Sequence, residues 1–238
     1  MVDAVVGGGG LIQIPALFSV FPTEQPARLF GTNKVASIVG TSSAAWHYAR
    51  RITMPWGFAG PGVVFALAGS ALGATFVSAL DPTLVRSGVI ALLLAVAGYT
   101  YCKKDFGLVS DTGNDRPSRP WVPWAIAGGV GCYDGFFGPG TGSFFIFLLI
   151  RCVGLDFLRA STVAKLWNAA TNLAAIGVFA GAGAVKWELG VLMALCNLVG
   201  AQLGARLALR RGAKFVRHVF LAVVLVLVLK LTVDLVVA

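Results

Sequence analysis

The residues best suited to chemistry come as two matching triplets. Lys34, Ser37 and Thr41 stand at i, i+3 and i+7, and Lys165, Asn168 and Asn172 repeat that spacing. On a helix such positions share one face. Each triplet then sets one cation and two hydrogen-bonding side chains on a stripe of an otherwise apolar element, with Asn33 as a further donor beside Lys34. An ionisable residue inside an apolar segment is a site by default in a membrane. Two such lysines would attract a small anion, and amides and hydroxyls would replace part of its water. The same lysines could instead lie at helix starts and snorkel to the interface.

Two glycine-rich breaks accompany the triplets. One reads Gly7-Gly8-Gly9-Gly10-Leu11-Ile12-Gln13-Ile14-Pro15, the other Gly138-Pro139-Gly140-Thr141-Gly142-Ser143. Neither favours a continuous helix. Unwound backbone at membrane depth is tolerated only against protein or a wet cavity. Paired interruptions point to a transporter's site, and N–H groups freed at a half-helix start favour an anion. On this reading Gly8, Gly9, Gly10, Gln13, Gly140, Thr141 and Gly142 join the substrate-binding set. Close packing or a hinge would use the same glycines. Asp3 and Asp134 each precede the first glycine of the aligned breaks by four residues. Such a carboxylate could carry a coupling proton, hold a lysine or cap a half-helix.

Other chemistry lacks its residues. No GxxxxGK[ST], HExxH or GxSxG occurs, and His47 and His218 stand apart. Cys102, Cys132, Cys152 and Cys196 are widely spaced and read as packing thiols. The expectation is no catalytic residue, no metal, no cofactor and no enzyme.

The elements that must position these residues are membrane segments. Of 238 residues, 57% are hydrophobic, 12% are charged and 30 are glycine. That is too little charge to cover a soluble domain and too much apolar content for disorder. Trp56–Leu80 and Leu166–Val185 hold no charge, and a spanning helix needs about 20 such residues. The net charge of +9 is spread over short loops, which suits anionic lipid and topology rather than nucleic acid. No basic segment precedes the first apolar stretch, so no cleavable signal peptide is expected. The fold class is therefore all-α, a polytopic integral membrane protein.

Shifting the chain by 131 residues superposes Asp3 on Asp134, Lys34 on Lys165 and Trp56 on Trp187. It also brings Gly69 and Gly73 onto Gly200 and Gly204, small-xxx-small pairs that let helices approach closely. This predicts a repeat at 1–107, a polar linker at 108–119 and a second repeat at 120–238. Each half has four apolar elements. They are a glycine-broken one (Val2–Phe21; Trp121–Ile150), a lysine-bearing one (Lys34–Ala49; Ala164–Gly181), a small-xxx-small one (Trp56–Leu80; Trp187–Leu209) and a uniformly apolar one (Leu84–Cys102; Phe215–Ala238). That makes about eight membrane segments, with Trp56, Trp121 and Trp187 as interfacial anchors. The lead-in Pro120–Tyr133 lacks a full counterpart before Met1, so a truncated start is expected.

The run Asp3 to Pro15 followed by Gly31-Thr32-Asn33-Lys34 resembles the first-half signature of the sulfite exporter TauE/SafE family. Gly138 to Ser143, then Ala164-Lys165-Leu166-Trp167-Asn168, resembles its second half, and Gly200-Ala-Gln-Leu-Gly-Ala-Arg206 also fits. The resemblance implies a multi-pass transporter of the bacterial inner membrane, with members linked to export of sulfite or organosulfonates such as sulfoacetate.

The expected function is a secondary transporter that exports a small anion by alternating access between the halves. Its partners are that anion and the bilayer, with a homo-oligomer open. A passive anion channel and a non-transporting scaffold are the alternatives. Saturable, gradient-driven flux separates the first two, and anion binding separates both from the scaffold.

Overall fold

The computed structural model describes residues 10–50, 52–81, 83–85, 87–88, 91 and 119–200. Asp3, Gly8, Gly9, Cys102, Gly204, His218, the linker up to residue 118 and the element Phe215–Ala238 lie outside the described residues.

Every element among the described residues is helical. In chain order they are α1 (Gly10–Val20), α2 (Pro26–Ala49), α3 (Trp56–Ala79), α4 (Val122–Phe136), α5 (Thr141–Leu148), α6 (Phe157–Gly181) and α7 (Trp187–Gly200). The starts follow local chemistry. Pro26 opens α2, where its missing N–H costs nothing. The Asp156 carboxylate caps α6 by accepting from the Arg159 N–H at 2.9 Å. A π-helical turn, Leu149–Val153, extends α5 and stops at Gly154, whose φ of 81° ends the helix.

The starts of α2 and α3 at Pro26 and Trp56 each lie 131 residues before those of α6 and α7 at Phe157 and Trp187. The lysine-bearing helices begin two turns earlier than apolarity alone predicts. Polar Thr32 and Asn33, and Ser161 and Thr162, are buried inside helices and do not end them. Lys34 and Lys165 therefore sit well within α2 and α6, not at their starts.

Packing crosses between these sets. In α3, the Ala59 carbonyl accepts from Trp167 Nε1 of α6 at 2.9 Å. Ser70 Oγ of α3 donates to the Thr171 carbonyl at 2.7 Å. In return, Asn197 of α7 donates from Nδ2 to the Ala36 carbonyl of α2 at 3.1 Å. The Lys186 N–H just ahead of α7 donates to Thr32 Oγ1 at 3.0 Å.

The distribution of polarity is inverted relative to a soluble protein. Val64, Phe65, Leu72 and Phe76 on α3, and Val191, Leu192, Leu195 and Val199 on α7, face outward. Lys34, Asp134, Asn33, Asn168 and Asn172 are buried. Apolar surface of this extent suits lipid, and the polar groups are kept inside the protein. Trp56, Trp121 and Trp187 are exposed at element starts. Among the described residues one helix stretch, Trp56–Val77, combines spanning length with high mean hydropathy. Its 22 residues cover about 33 Å, close to the hydrocarbon thickness. Helices α2 and α6 have 24 and 25 residues but carry the polar stripe, which lowers their apolarity. Cys152 and Cys196 are exposed and Cys132 is half-buried, so these thiols are not the core packers expected; all three are free.

Candidate functional site

Helix α4 stops at Phe136 because the next residues cannot stay helical. Gly138 and Gly140 have φ of 87° and 79°, the left-handed region that glycine alone enters cheaply. Tyr133 Oη donates to the Pro139 carbonyl at 2.6 Å and clamps this loop. Helix α5 then starts at Thr141 with Gly140 as its N-cap and no capping side chain. Asp134 is thus not an N-cap; the loop leaves it in the last turn of α4, facing the break.

Asp134 holds a lysine. Its Oδ2 lies 2.8 Å from Lys34 Nζ, and both side chains are at most 3% exposed. Its Oδ1 accepts from Thr141 Oγ1 at 2.6 Å. Thr141 Oγ1 also lies 2.8 Å from the Gly138 carbonyl. A Cβ built on Gly138 would stand 2.9 Å from Lys34 Nζ, so the ammonium rests against bare backbone of the glycine loop. The snorkelling alternative for Lys34 therefore fails: its ammonium is inside the protein and paired. Lys165 is also buried, at 6% exposed, and is likewise no interfacial side chain.

The polar stripe continues along α2 and α6. Asn172 Nδ2 reaches Thr41 Oγ1 at 3.4 Å and Asn168 Oδ1 at 3.1 Å. Thr41 and Asn172 occupy the same position in the 131-residue register, so equivalent residues meet across the seam. Thr41 Oγ1 also donates to the Ser37 carbonyl at 3.0 Å. Ser37 is half-buried, whereas Thr41, Asn168 and Asn172 are buried.

Near the break, two amide oxygens are buried without a donor: Asn33 Oδ1 and Gln13 Oε1. Each costs on the order of 1–3 kcal/mol unless water or a ligand supplies one. A Cβ on Gly10 of α1 would lie 3.7 Å from Asn33 Nδ2 and 3.5 Å from Pro139 Cα. Gly10, Asn33 and the 138–140 loop therefore adjoin. Gln13 lies one turn along α1 from Gly10, and Gly142 is buried in the first turn of α5.

The structure thus brings Asn33, Lys34, Gly10, Gly140, Thr141 and Asp134 to one locality, and Thr41, Asn168 and Asn172 to the adjoining seam. Tyr133 and Gly138 were missing from the expected set. Tyr133 directly precedes Asp134 at a helix end, which is the signal that could have found it.

A second charged cluster lies at the ends of α1, α2 and α7. The Glu24 carboxylate contacts Lys186 Nζ and, at 3.3 Å, Arg28 Nη1. Lys186 Nζ also stands 4.4 Å from the Phe21 ring centre, a cation–π geometry. The hydrogen bond from Lys186 holds the Glu24 carboxyl below its ordinary range.

Comparison with known proteins follows the same outline. The family model for the sulfite exporter TauE/SafE matches residues 1–231. A "Probable membrane transporter protein ORF9" of a Sinorhizobium species is 37% identical over 237 residues, covering 98% of this chain and 88% of that protein. "Probable membrane transporter protein YfcA" of Escherichia coli K12 is 34% identical over 237 residues, covering 98% and 85%. A "Probable membrane transporter protein" of Haemophilus influenzae is 30% identical over 233 residues, covering 98% and 90%. No solved structure matches significantly.

Proposed function

Because this chain belongs to the sulfite exporter TauE/SafE family, we propose that it is a bacterial membrane transporter of a small anion. The seam between α2 and α6, with the adjoining glycine loop, would form its site. The observation that carries this reading is the burial of the Lys34 ammonium against the bare backbone of Gly138, with the Asn33 amide next to it in α2. A cation, amides and open backbone then converge inside a molecule whose outer faces are apolar.

In this reading Lys34 and Lys165 supply positive charge. Asn33, Ser37, Thr41, Asn168 and Asn172 supply hydrogen bonds, as do Gln13 and the backbone of Gly8–Gly10 and Gly140–Gly142. The substrate is sulfite or an organosulfonate such as sulfoacetate, moved outward across the inner membrane. The chain is multi-pass, with about eight segments in two halves. Equal spacing of two helix starts and the Thr41–Asn172 contact support two halves meeting on an approximate two-fold axis. Rocking of one half against the other would expose the site alternately to each side.

The test is efflux from proteoliposomes loaded with radiolabelled sulfite or sulfoacetate. Wild type should release either anion with saturable kinetics, and Lys165→Ala should lose at least tenfold of the rate. Undiminished export by Lys165→Ala would remove the proposed site.

A further inference from the structure

We infer that an anion engages Lys34 only when Asp134 takes up a proton, so that each anion moved is accompanied by one proton. This rests on the anion-transport reading above and adds the ion that drives it.

The first ground is charge. Lys34 and Asp134 are within 2.8 Å and both buried, so together they present no net charge to an incoming solute. An anion brought to that ammonium would also meet a carboxylate, and in a poorly screened interior such a like-charge approach is costly. Protonating Asp134 removes the competitor and leaves the ammonium for the anion.

The second ground is the hydrogen-bond geometry of Thr141. Its single hydroxyl proton faces two acceptors, Asp134 Oδ1 at 2.6 Å and the Gly138 carbonyl at 2.8 Å. With Asp134 ionised, the hydroxyl donates to one of them and the other goes without that proton. With Asp134 protonated on Oδ1, the acid donates to Thr141 Oγ1, and the Thr141 hydroxyl donates to the Gly138 carbonyl. Both contacts are then hydrogen bonds, without displacement of a heavy atom. The site therefore accommodates both protonation states of this carboxyl, and the protonated one ties α4, the glycine loop and α5 into one chain of donors.

Among the described residues the surroundings add few competing titrations. On its own helix Asp134 has Cys132 and Tyr133 nearby, and α2 presents Lys34. Helices α1, α3 and α5 carry no titratable side chain. Helix α6 brings Lys165, with Arg159 near its exposed start, and Arg151 lies on the turn after α5. The proton comes from water on the loading side, adds to Asp134 Oδ1, and leaves to water on the other side as the anion departs and Lys34 returns to the carboxylate. No bond other than O–H forms or breaks.

The sign follows. Anion affinity is highest at low pH. It falls by up to about tenfold per pH unit once Asp134 is ionised in the empty protein, as linkage of one proton requires.

The test uses the full chain in liposomes loaded with sulfoacetate, which stays fully ionised across about pH 6 to 8. Pyranine is trapped inside, and potassium with valinomycin clamps the membrane potential. Wild type should alkalinise the lumen in step with efflux, one proton per anion, with KM rising as pH rises. Asp134→Asn should move sulfoacetate without protons and with a flat KM, and Asp134→Glu should restore the proton. Sulfoacetate efflux by wild type with the lumen pH unmoved overturns the inference while leaving anion transport intact. That count decides the matter even if Asp134→Asn does not fold. Absence of efflux of both sulfite and sulfoacetate from wild type overturns the anion reading itself, and the inference with it.

Discussion

Two helix seams run through this molecule, built on opposite rules. Between α3 and α4 the chains are pressed together by absence of side chains. A Cβ on Gly73 would collide with the Cys132 carbonyl, and one on Gly135 with the Ser70 carbonyl. Between α2 and α6 the seam is filled with Thr41, Asn168 and Asn172, and Lys34 and Asn33 lie alongside. In lipid, helix association gains little from hydrophobicity and depends on packing. The first seam supplies that packing; the second keeps polar groups whose burial is costly without a compensating role. The contrast teaches that glycine has two uses here. At 73 and 135 it closes space, whereas at 138 and 140 it bends the backbone and leaves room for an ammonium.

The largest effect is expected in the glycine seam. Gly135→Leu should exceed the usual overpacking cost of about 1–3 kcal/mol, because the obstacle is helix backbone rather than a movable side chain. Recovery of monodisperse protein in detergent should drop to background, and normal recovery would show that the seam is looser than described. Next is Lys34→Ala in the polar seam. Breaking a buried pair costs on the order of 3–5 kcal/mol, part of which a protonated Asp134 would recover. Folded protein should survive with a lowered melting temperature while anion efflux falls at least tenfold. Loss of stability with efflux retained would make the pair purely structural.

Asn172→Ala should cost about 1 kcal/mol through its two hydrogen bonds and slow efflux several-fold. An unchanged melting point and rate would show that the meeting of Thr41 and Asn172 carries no weight. The smallest change belongs to Glu24→Gln, outside both seams. The Glu24 carboxyl sits below its ordinary value of 4.5, so its contribution is present above that value and lost as pH falls through the lowered one. Melts of wild type and Glu24→Gln should differ slightly at neutral pH and converge in acid. A difference that grows in acid would contradict the assignment.

The glycine seam was half legible. Gly69 and Gly73 showed as a small-xxx-small pair, but their partners Gly128 and Cys132 read only as part of an apolar lead-in, because spacing on one helix does not reveal its neighbour. In the polar seam, the i, i+3, i+7 pattern put Lys34, Ser37 and Thr41 on one face. It did not show that Lys34 meets Asp134, a contact that depends on how α4 ends. Helix starts were misjudged where apolarity was the guide, since Thr32 and Thr162 bury polar groups inside helices. The thiols were misjudged because apolar surroundings in sequence mean lipid as readily as core. Gly204, Asp3 and the last apolar element lie outside the described residues.

Cysteine accessibility tests the comparison between the seams most directly. In a chain with Cys102, Cys132, Cys152 and Cys196 replaced, Ser37→Cys samples the polar seam and Ala66→Cys the glycine seam, where Ala66 is fully buried. The account predicts that a sulfonated, membrane-impermeant thiol reagent modifies Ser37→Cys and that sulfoacetate slows it, while Ala66→Cys stays unmodified. A Ser37→Cys thiol as inert as that of Ala66→Cys, or one modified at the same rate with and without anion, would contradict it.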